Sequence, residues 1–171
     1  RYFRDLILEE RELSSGATER SAGILSDEIV AGRLKLQRWN RDVERWIARL
    51  NFVVLHFPAA AIEAIAGPER RILLEKICQG ASGFRTIKDR EVMPVLRKWL
   101  RDEQAAAMEE LAPDRYLLPS GKRVKIGYGE DARAVLSATK QQRYDVPGNP
   151  SLGGGVVPLT VEILAPNRRP V

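Results

Sequence analysis

The sequence has few of the residues that form disulfide bonds or bind metal ions in small proteins. It has one cysteine and one histidine in 171 residues. A single thiol cannot form an internal disulfide, which suits a reducing compartment. One Cys and one His also cannot supply the ligands of a standard zinc site. We therefore predict no metal site and no disulfide framework.

The sequence also lacks long hydrophobic runs. No stretch approaches the roughly 18 consecutive apolar residues that would cross a bilayer. The charged start, RYFRDLILEERE, does not have the pattern of a signal peptide. We therefore expect a cytoplasmic protein without a membrane partner.

Nucleotide-binding and catalytic motifs are missing as well. Gly121-Lys122 resembles the end of a phosphate-binding loop, but that loop needs Gly five positions before its last Gly and Ser or Thr after Lys. This chain has Tyr116 and Arg123 at those positions. Carboxylate pairs such as Glu109-Glu110 are typical of a solvated helix face. The sequence predicts no catalytic residue and no cofactor site within this chain.

The strongest pattern that is present is a helix from Trp39 to Phe57. Its apolar residues recur at spacings of three and four, which places them on one face. These residues are Trp39, Val43, Trp46, Ile47, Leu50, Val53, Val54 and Phe57. Phe52 and Leu55 add apolar surface on the opposite side. We therefore expect the C-terminal half of this helix to be buried all round.

Other helices are predicted before and after it. The pattern predicts helices over 18–31, 60–66, 67–79, 89–100 and 102–111, with 82–88 as a loop. Gly32 suits a left-handed stop after the first of them. The helix that opens at Gly67-Pro68 should bury Ile72, Leu73, Ile77 and Cys78.

Beyond Pro113 the apolar period changes from 3.6 residues to two. The runs 115–118 and 122–128 predict a hairpin, 156–164 predicts a final strand, and 134–138 fits either a strand or a short helix. The fold class is therefore predicted as α+β, an N-terminal helical body followed by a small antiparallel β-sheet of hairpin plus final strand. The predicted segments are a leading strand at 1–13, a helical domain at 14–112 and a β domain at 113–171.

The positive charge is concentrated in the last third of the chain. Residues 112–171 contain nine Lys and Arg against five Asp and Glu, which accounts for most of the net charge of +5. Arg123 and Lys125 alternate with apolar residues in the second hairpin strand, and Lys122 adjoins the turn. Arg168 and Arg169 follow the final strand. These five residues are the candidate nucleic-acid contacts, and solubilising charges or contacts with other domains are the alternative interpretations.

The second half of the chain resembles a known family. LAPDRYLLPSGKRVKIGY (111–128), VLSA (135–138), YDVPGNP (144–150) and VVPLTVEILAPNRRPV (156–171) are similar to the C-terminal region of the HrpB family of bacterial DEAH-box ATP-dependent RNA helicases. Upstream, WIARLNFVVLHFP, ICQGASGF and DREVMPVLRKWL fit the helical part that precedes that region. The segments TKQQR and GGG depart from the family pattern.

The resemblance implies a role for this chain. The family couples ATP hydrolysis to translocation along RNA, with Mg-ATP bound between two RecA-like domains, and the leading strand would leave an OB-like region. Because this chain has neither the phosphate loop nor an Asp-Glu-Ala-His sequence, the resemblance implies an accessory module whose partners are RNA and the helicase core domains. The alternative is a non-catalytic protein-interaction scaffold without a nucleic-acid role.

Overall fold

The computed structural model describes residues 19–165 and 167. The predicted strand at 1–13 and the candidate residues Arg168 and Arg169 lie outside this part of the chain. In the described part no helix is both long enough and apolar enough to cross a membrane.

In the described part, helices predominate up to residue 111, and all of the strands follow that point. The helices are α1 (residues 19–30), α2 (Arg41–His56), α3 (Gly67–Cys78), α4 (Phe84–Ile87), α5 (Met93–Arg97), α6 (Asp102–Leu111) and α7 (Lys140–Arg143), with a 3₁₀ turn at Pro58–Ala60. The strands are β1 (Arg115–Leu117), β2 (Arg123–Tyr128), β3 (Ala134–Thr139), β4 (Ser151–Leu152), β5 (Val157–Pro158) and β6 (Thr160–Leu164). The α+β class and the order of helical body and sheet are confirmed.

The described chain divides into two compact units. The first contains the described residues up to Val43 together with Ile65–Trp99, and the second contains Glu44–Ala64 and the described residues from Leu100 onward.

In the first unit, α1 ends where the chain turns left-handed. Gly32 has φ +76°, and its N–H donates to the carbonyl of Ile29 at 3.0 Å. A glycine adopts this conformation without the steric cost that a Cβ would bring. The prediction of a stop at Gly32 is therefore confirmed.

The core of the first unit is formed largely by α3 and the segment around α5. Arg90 donates hydrogen bonds to the carbonyls of Ile77 and Gln79 at the end of α3. These bonds supply partners for carbonyl groups that the end of a helix leaves unpaired. The buried apolar residues of this region are Leu73, Leu74, Ile77, Cys78, Ile87, Val92 and Leu96.

The second unit is built on a four-stranded sheet in the order β1-β2-β3-β6. β1, β2 and β3 are antiparallel neighbours, whereas β6 pairs with β3 in parallel. β4 and β5 form a separate two-stranded hairpin. The sheet is therefore mixed, and the prediction that the final strand joins an antiparallel sheet is wrong. The chain crosses over through residues 140–159 between β3 and β6, and a crossover of this length permits parallel pairing.

The C-terminal half of α2 packs against this sheet through aromatic rings. The ring of Phe52 is fully buried, and its centroid lies 5.0 Å from that of Tyr128 on β2. His56 Nε2 lies 2.8 Å from the carbonyl oxygen of Ala132 in the β2–β3 turn. Tyr128 donates its hydroxyl proton to the carbonyl of Pro113 at 2.6 Å, and burial raises the pKa of this phenol. The hydroxyl is therefore held protonated and hydrogen-bonded.

Several local predictions of burial are wrong. Leu55 is 62% exposed because it lies on the same side of α2 as Ala48 and Asn51, and the core does not cover that side. In α3, Ile72 is exposed and Leu74 is buried instead. Trp46 is only partly buried.

The predicted helix boundaries also need correction between residues 58 and 100. The helix expected at 60–66 does not form. The chain has only the 3₁₀ turn at Pro58–Ala60, and Ala61 follows it in a left-handed conformation with φ +51°. The expected loop at 82–88 contains α4, and the helix expected at 89–100 is shortened to α5. Pro94 lies in the first turn of α5, because its missing N–H is tolerated there and not in a helix interior.

Arg49 on α2 carries a nearly buried charge. Its side chain donates through Nε to the carbonyl of Ala112, and its Nη2 forms an ion pair with Glu109 at 2.8 Å. The Glu109 carboxylate is mostly exposed, so water screens that ion pair. The hydrogen bond to Ala112 is therefore the more important of the two contacts.

We expect Arg49→Met to lower the free energy of unfolding by about 2 kcal/mol, since the substitution leaves the buried Ala112 carbonyl without its charged donor. The matched control is Arg41→Met on the exposed side of the same helix, which should change stability by less than about 0.5 kcal/mol. Urea unfolding measures both. Equal effects at the two positions would show that the Ala112 contact does not stabilise the fold.

Candidate nucleic-acid interface

The cations predicted on β2 point away from the core. Arg123 and Lys125 are exposed, whereas the intervening Val124 and the following Ile126 are 4% and 2% exposed. The pleat of the strand produces this alternation, because successive side chains leave a strand on opposite faces. β2 therefore presents its two charges on the outer face of the sheet.

Strand pairing adds a third cation that the sequence did not single out. Arg115 on β1 is the direct cross-strand partner of Lys125, and Leu117 is the partner of Arg123. Directly opposed residues share a face, so Arg115 stands beside Lys125. We call Arg115, Arg123 and Lys125 the basic sheet face.

The turn between β1 and β2 fixes this register. Leu118 N–H donates to Lys122 O, and Gly121 N–H donates to Leu118 O, both at 2.8 Å. Gly121 has φ +83°, a conformation that favours glycine. Lys122 is exposed where the turn meets β2. The alternation of β1 was visible in the sequence, and adding the two-strand register would have identified Arg115.

Local carboxylates do not neutralise these charges. Among the described residues, none forms an ion pair with Arg115, Lys122, Arg123 or Lys125. Glu162 lies two strands away, near the Oγ of Ser137 at 3.4 Å. The basic sheet face is therefore available to an anionic partner.

A groove lies at the β6 edge of the sheet, which is the edge away from β1. It has a volume of about 1160 Å³ and is lined by Val135, Thr139, Lys140, Gln141 and residues 160–165. Thr139 ends β3 and caps α7, since its hydroxyl accepts the Gln142 N–H at 3.3 Å while Gln142 Oε1 accepts the Thr139 N–H at 2.9 Å. This capping box fixes α7 at the end of the sheet.

The fold and this surface define the class of protein: an α+β module whose sheet exposes a basic face. Residues 73–171 match the model of a family described as "ATP-dependent helicase C-terminal" (HrpB_C). Because the match covers more than half of the chain, the chain belongs to this family of helicase C-terminal regions. The resemblance to the HrpB family is confirmed.

Individual relatives agree with this assignment. The chain is 27% identical over 143 residues to the ATP-dependent RNA helicase HrpB of Escherichia coli (strain K12), an overlap of 81% of this chain and 18% of that protein. It also resembles the crystal structure of the E. coli DExH-box NTPase HrpB, with a TM-score of 0.63, 25% identity and coverage of 78% of this chain and 17% of that chain. A second crystal structure, of the E. coli DEAH/RHA helicase HrpB, gives a TM-score of 0.61 at 25% identity and the same coverage. The chain thus spans less than a fifth of these relatives.

Proposed function

We propose that this chain is the C-terminal accessory module of an ATP-dependent RNA helicase and that its basic sheet face contacts the RNA backbone. The relatives named above are an RNA helicase and an NTPase, and the family match supports a place in such a protein. Mg-ATP would bind to the helicase core domains of the same protein, which are then the partners of this module. The protein would act in the cytoplasm, where Cys78 remains a free thiol.

The observation that carries this proposal is the unneutralised basic sheet face. Arg123 and Lys125 stand about 7 Å apart along one strand, since two residues of strand rise separate them. That separation is comparable to the distance between successive phosphates of a nucleic-acid chain. Arg115 lies opposite Lys125 and can contact the same backbone from the neighbouring strand. A rigid sheet therefore holds these cations at a spacing that suits phosphate contacts.

The test is the double substitution Arg123→Gln and Lys125→Gln in the full-length protein, with affinity for single-stranded RNA measured over a range of salt concentrations. Each phosphate contact to a single strand contributes about 0.7 to the slope of log affinity against log salt. We therefore expect the slope to become shallower by about 1.4 for two contacts, with weaker binding to all RNA sequences.

The matched control removes two charges from an exposed site in the other unit, by Arg97→Gln and Lys98→Gln. It should leave the slope unchanged. If the Arg123 and Lys125 variant also keeps the original slope while its unfolding curve is unaltered, the basic sheet face does not contact phosphates. The surface would then serve protein contacts, as in the scaffold alternative.

A further inference from the structure

Tyr144 is the most exposed of the large apolar side chains that the structure describes. It is 92% exposed, whereas Ile24, the next of these residues, is 64% exposed. Aromatic side chains normally bury much of their surface and contribute strongly to cores and interfaces. Almost the whole Tyr144 ring is therefore accessible to a binding partner.

The backbone that carries this ring is fixed on both sides. Asp145 N–H donates to Gln142 O at 3.0 Å, and Val146 is 6% exposed. The Asp145 carboxylate accepts the Ser120 N–H at 3.2 Å. Because Ser120 belongs to the β1–β2 turn, this bond ties the Tyr144 segment to the end of the hairpin that bears Lys122 and Arg123. The exposed ring is therefore carried by a segment whose backbone is tied to the same turn as Lys122.

The nearest charged neighbours of Tyr144 along the chain are two cations before it and Asp145 directly after it, whose carboxylate accepts the Ser120 N–H. Arg143 precedes it, and Lys140 lies four positions earlier, on the same side of the α7 turn. Both are exposed. An exposed ring among cations suits a partner that combines flat apolar groups with negative charge.

We propose that Tyr144 is a stacking platform for an unpaired base of a single-stranded nucleic acid. Aromatic rings that stack successive bases beside a cationic track are the usual means of binding single strands without sequence preference. The strand's phosphates would lie on the basic sheet face and its base on the Tyr144 ring. This inference rests on the proposed function for the identity of the ligand, but it concerns a contact with the base and not with the backbone.

The experiment compares Tyr144→Ala and Tyr144→Phe in the full-length protein. Each variant is titrated with a short single-stranded RNA, with DNA of the same sequence, and with a matched strand in which the bases are replaced by abasic sites. Loss of one stacked base costs about 1 to 3 kcal/mol, so Tyr144→Ala should weaken binding of RNA and DNA by about five- to 150-fold. Tyr144→Phe retains the ring and should bind within about twofold of the natural protein. The salt slope should not change, because no phosphate contact is removed.

The abasic strand provides the control for the base. It should bind the natural protein and Tyr144→Ala equally well. If Tyr144→Ala binds the base-containing strands as tightly as the natural protein, or if it weakens the abasic strand by the same factor, the stacking proposal is overturned. A loss confined to RNA and shared by Tyr144→Phe would assign the contact to the hydroxyl group and would also overturn stacking.

The two proposals can fail separately. A shallower salt slope for the Arg123 and Lys125 variant, together with no effect of Tyr144→Ala, refutes the stacking platform and leaves the phosphate contacts in place. An unchanged salt slope for the charge variant, together with a base-dependent loss in Tyr144→Ala, refutes the phosphate contacts and leaves the platform in place.

Discussion

Replacement of Phe52 by alanine will lower the free energy of unfolding by about 3 to 5 kcal/mol, the range for deleting a buried aromatic ring. Phe52 is fully buried, and its ring centroid lies 5.0 Å from that of Tyr128 and 4.6 Å from that of His56. The substitution removes apolar burial and leaves a cavity between α2 and the sheet. It also removes the contacts of the Phe52 ring with the rings of Tyr128 and His56. Urea unfolding followed by tryptophan fluorescence measures the loss.

The control for Phe52 is provided by the same helix. Leu55 is 62% exposed, so Leu55→Ala should change stability by less than about 0.5 kcal/mol. Both substitutions alter helix propensity in the same direction, and their difference isolates burial. A loss below about 1 kcal/mol in Phe52→Ala would mean that α2 does not pack on the sheet through this ring.

Gly153→Ala is expected to have the second largest effect. Gly153 has φ +63°, and a Cβ at this position would lie 2.3 Å and 2.4 Å from Cε1 and Cζ of Phe57. The left-handed conformation costs a residue with a Cβ about 1 to 2 kcal/mol. Displacing a packed ring costs about 1 to 3 kcal/mol more. We therefore expect Gly153→Ala to lower the free energy of unfolding by about 2 to 5 kcal/mol.

The adjacent glycine separates these two contributions. Gly154 has φ +70°, but a Cβ there would meet no atom within 4 Å. Gly154→Ala should therefore cost only the backbone contribution, about 1 to 2 kcal/mol. Thermal or urea unfolding of the two variants gives the difference. Equal losses at both positions would show that the Phe57 ring does not lie against Gly153.

The sequence predicts the elements whose periodicity is long and regular. The 3.6-residue pattern of α2 and the two-residue alternation of β2 each placed their element within two residues of its observed bounds. Short segments were predicted less well. Around Ala61 the alanine-rich composition favours helix, whereas the chain turns left-handed there. Local propensity is weak compared with tertiary contacts over so few residues.

The candidate site also contains residues whose direction the sequence predicted and residues that the sequence did not single out. The outward direction of Arg123 and Lys125 follows from strand alternation alone. Arg115 was missed because its place depends on pairing with another strand, and Tyr144 because the alternation of apolar residues does not reveal which aromatic ring is left uncovered. The parallel position of β6 was missed for a related reason. The sequence of residues 134–138 fitted either a strand or a short helix, and β6 pairs with the strand that this segment forms. Whether the cations contact RNA stays a prediction.

The parallel pairing of β3 with β6 has a consequence for the order in which the second unit folds. β1, β2 and β3 are joined by short turns, so their contacts close small loops. β6 reaches β3 only after residues 140–159 have closed a longer loop, and such non-local contacts form slowly because the entropy of loop closure is lost before they are made. β6 supplies one wall of the groove beside α7. We therefore expect this groove to form after the β1–β2 hairpin that bears the basic sheet face.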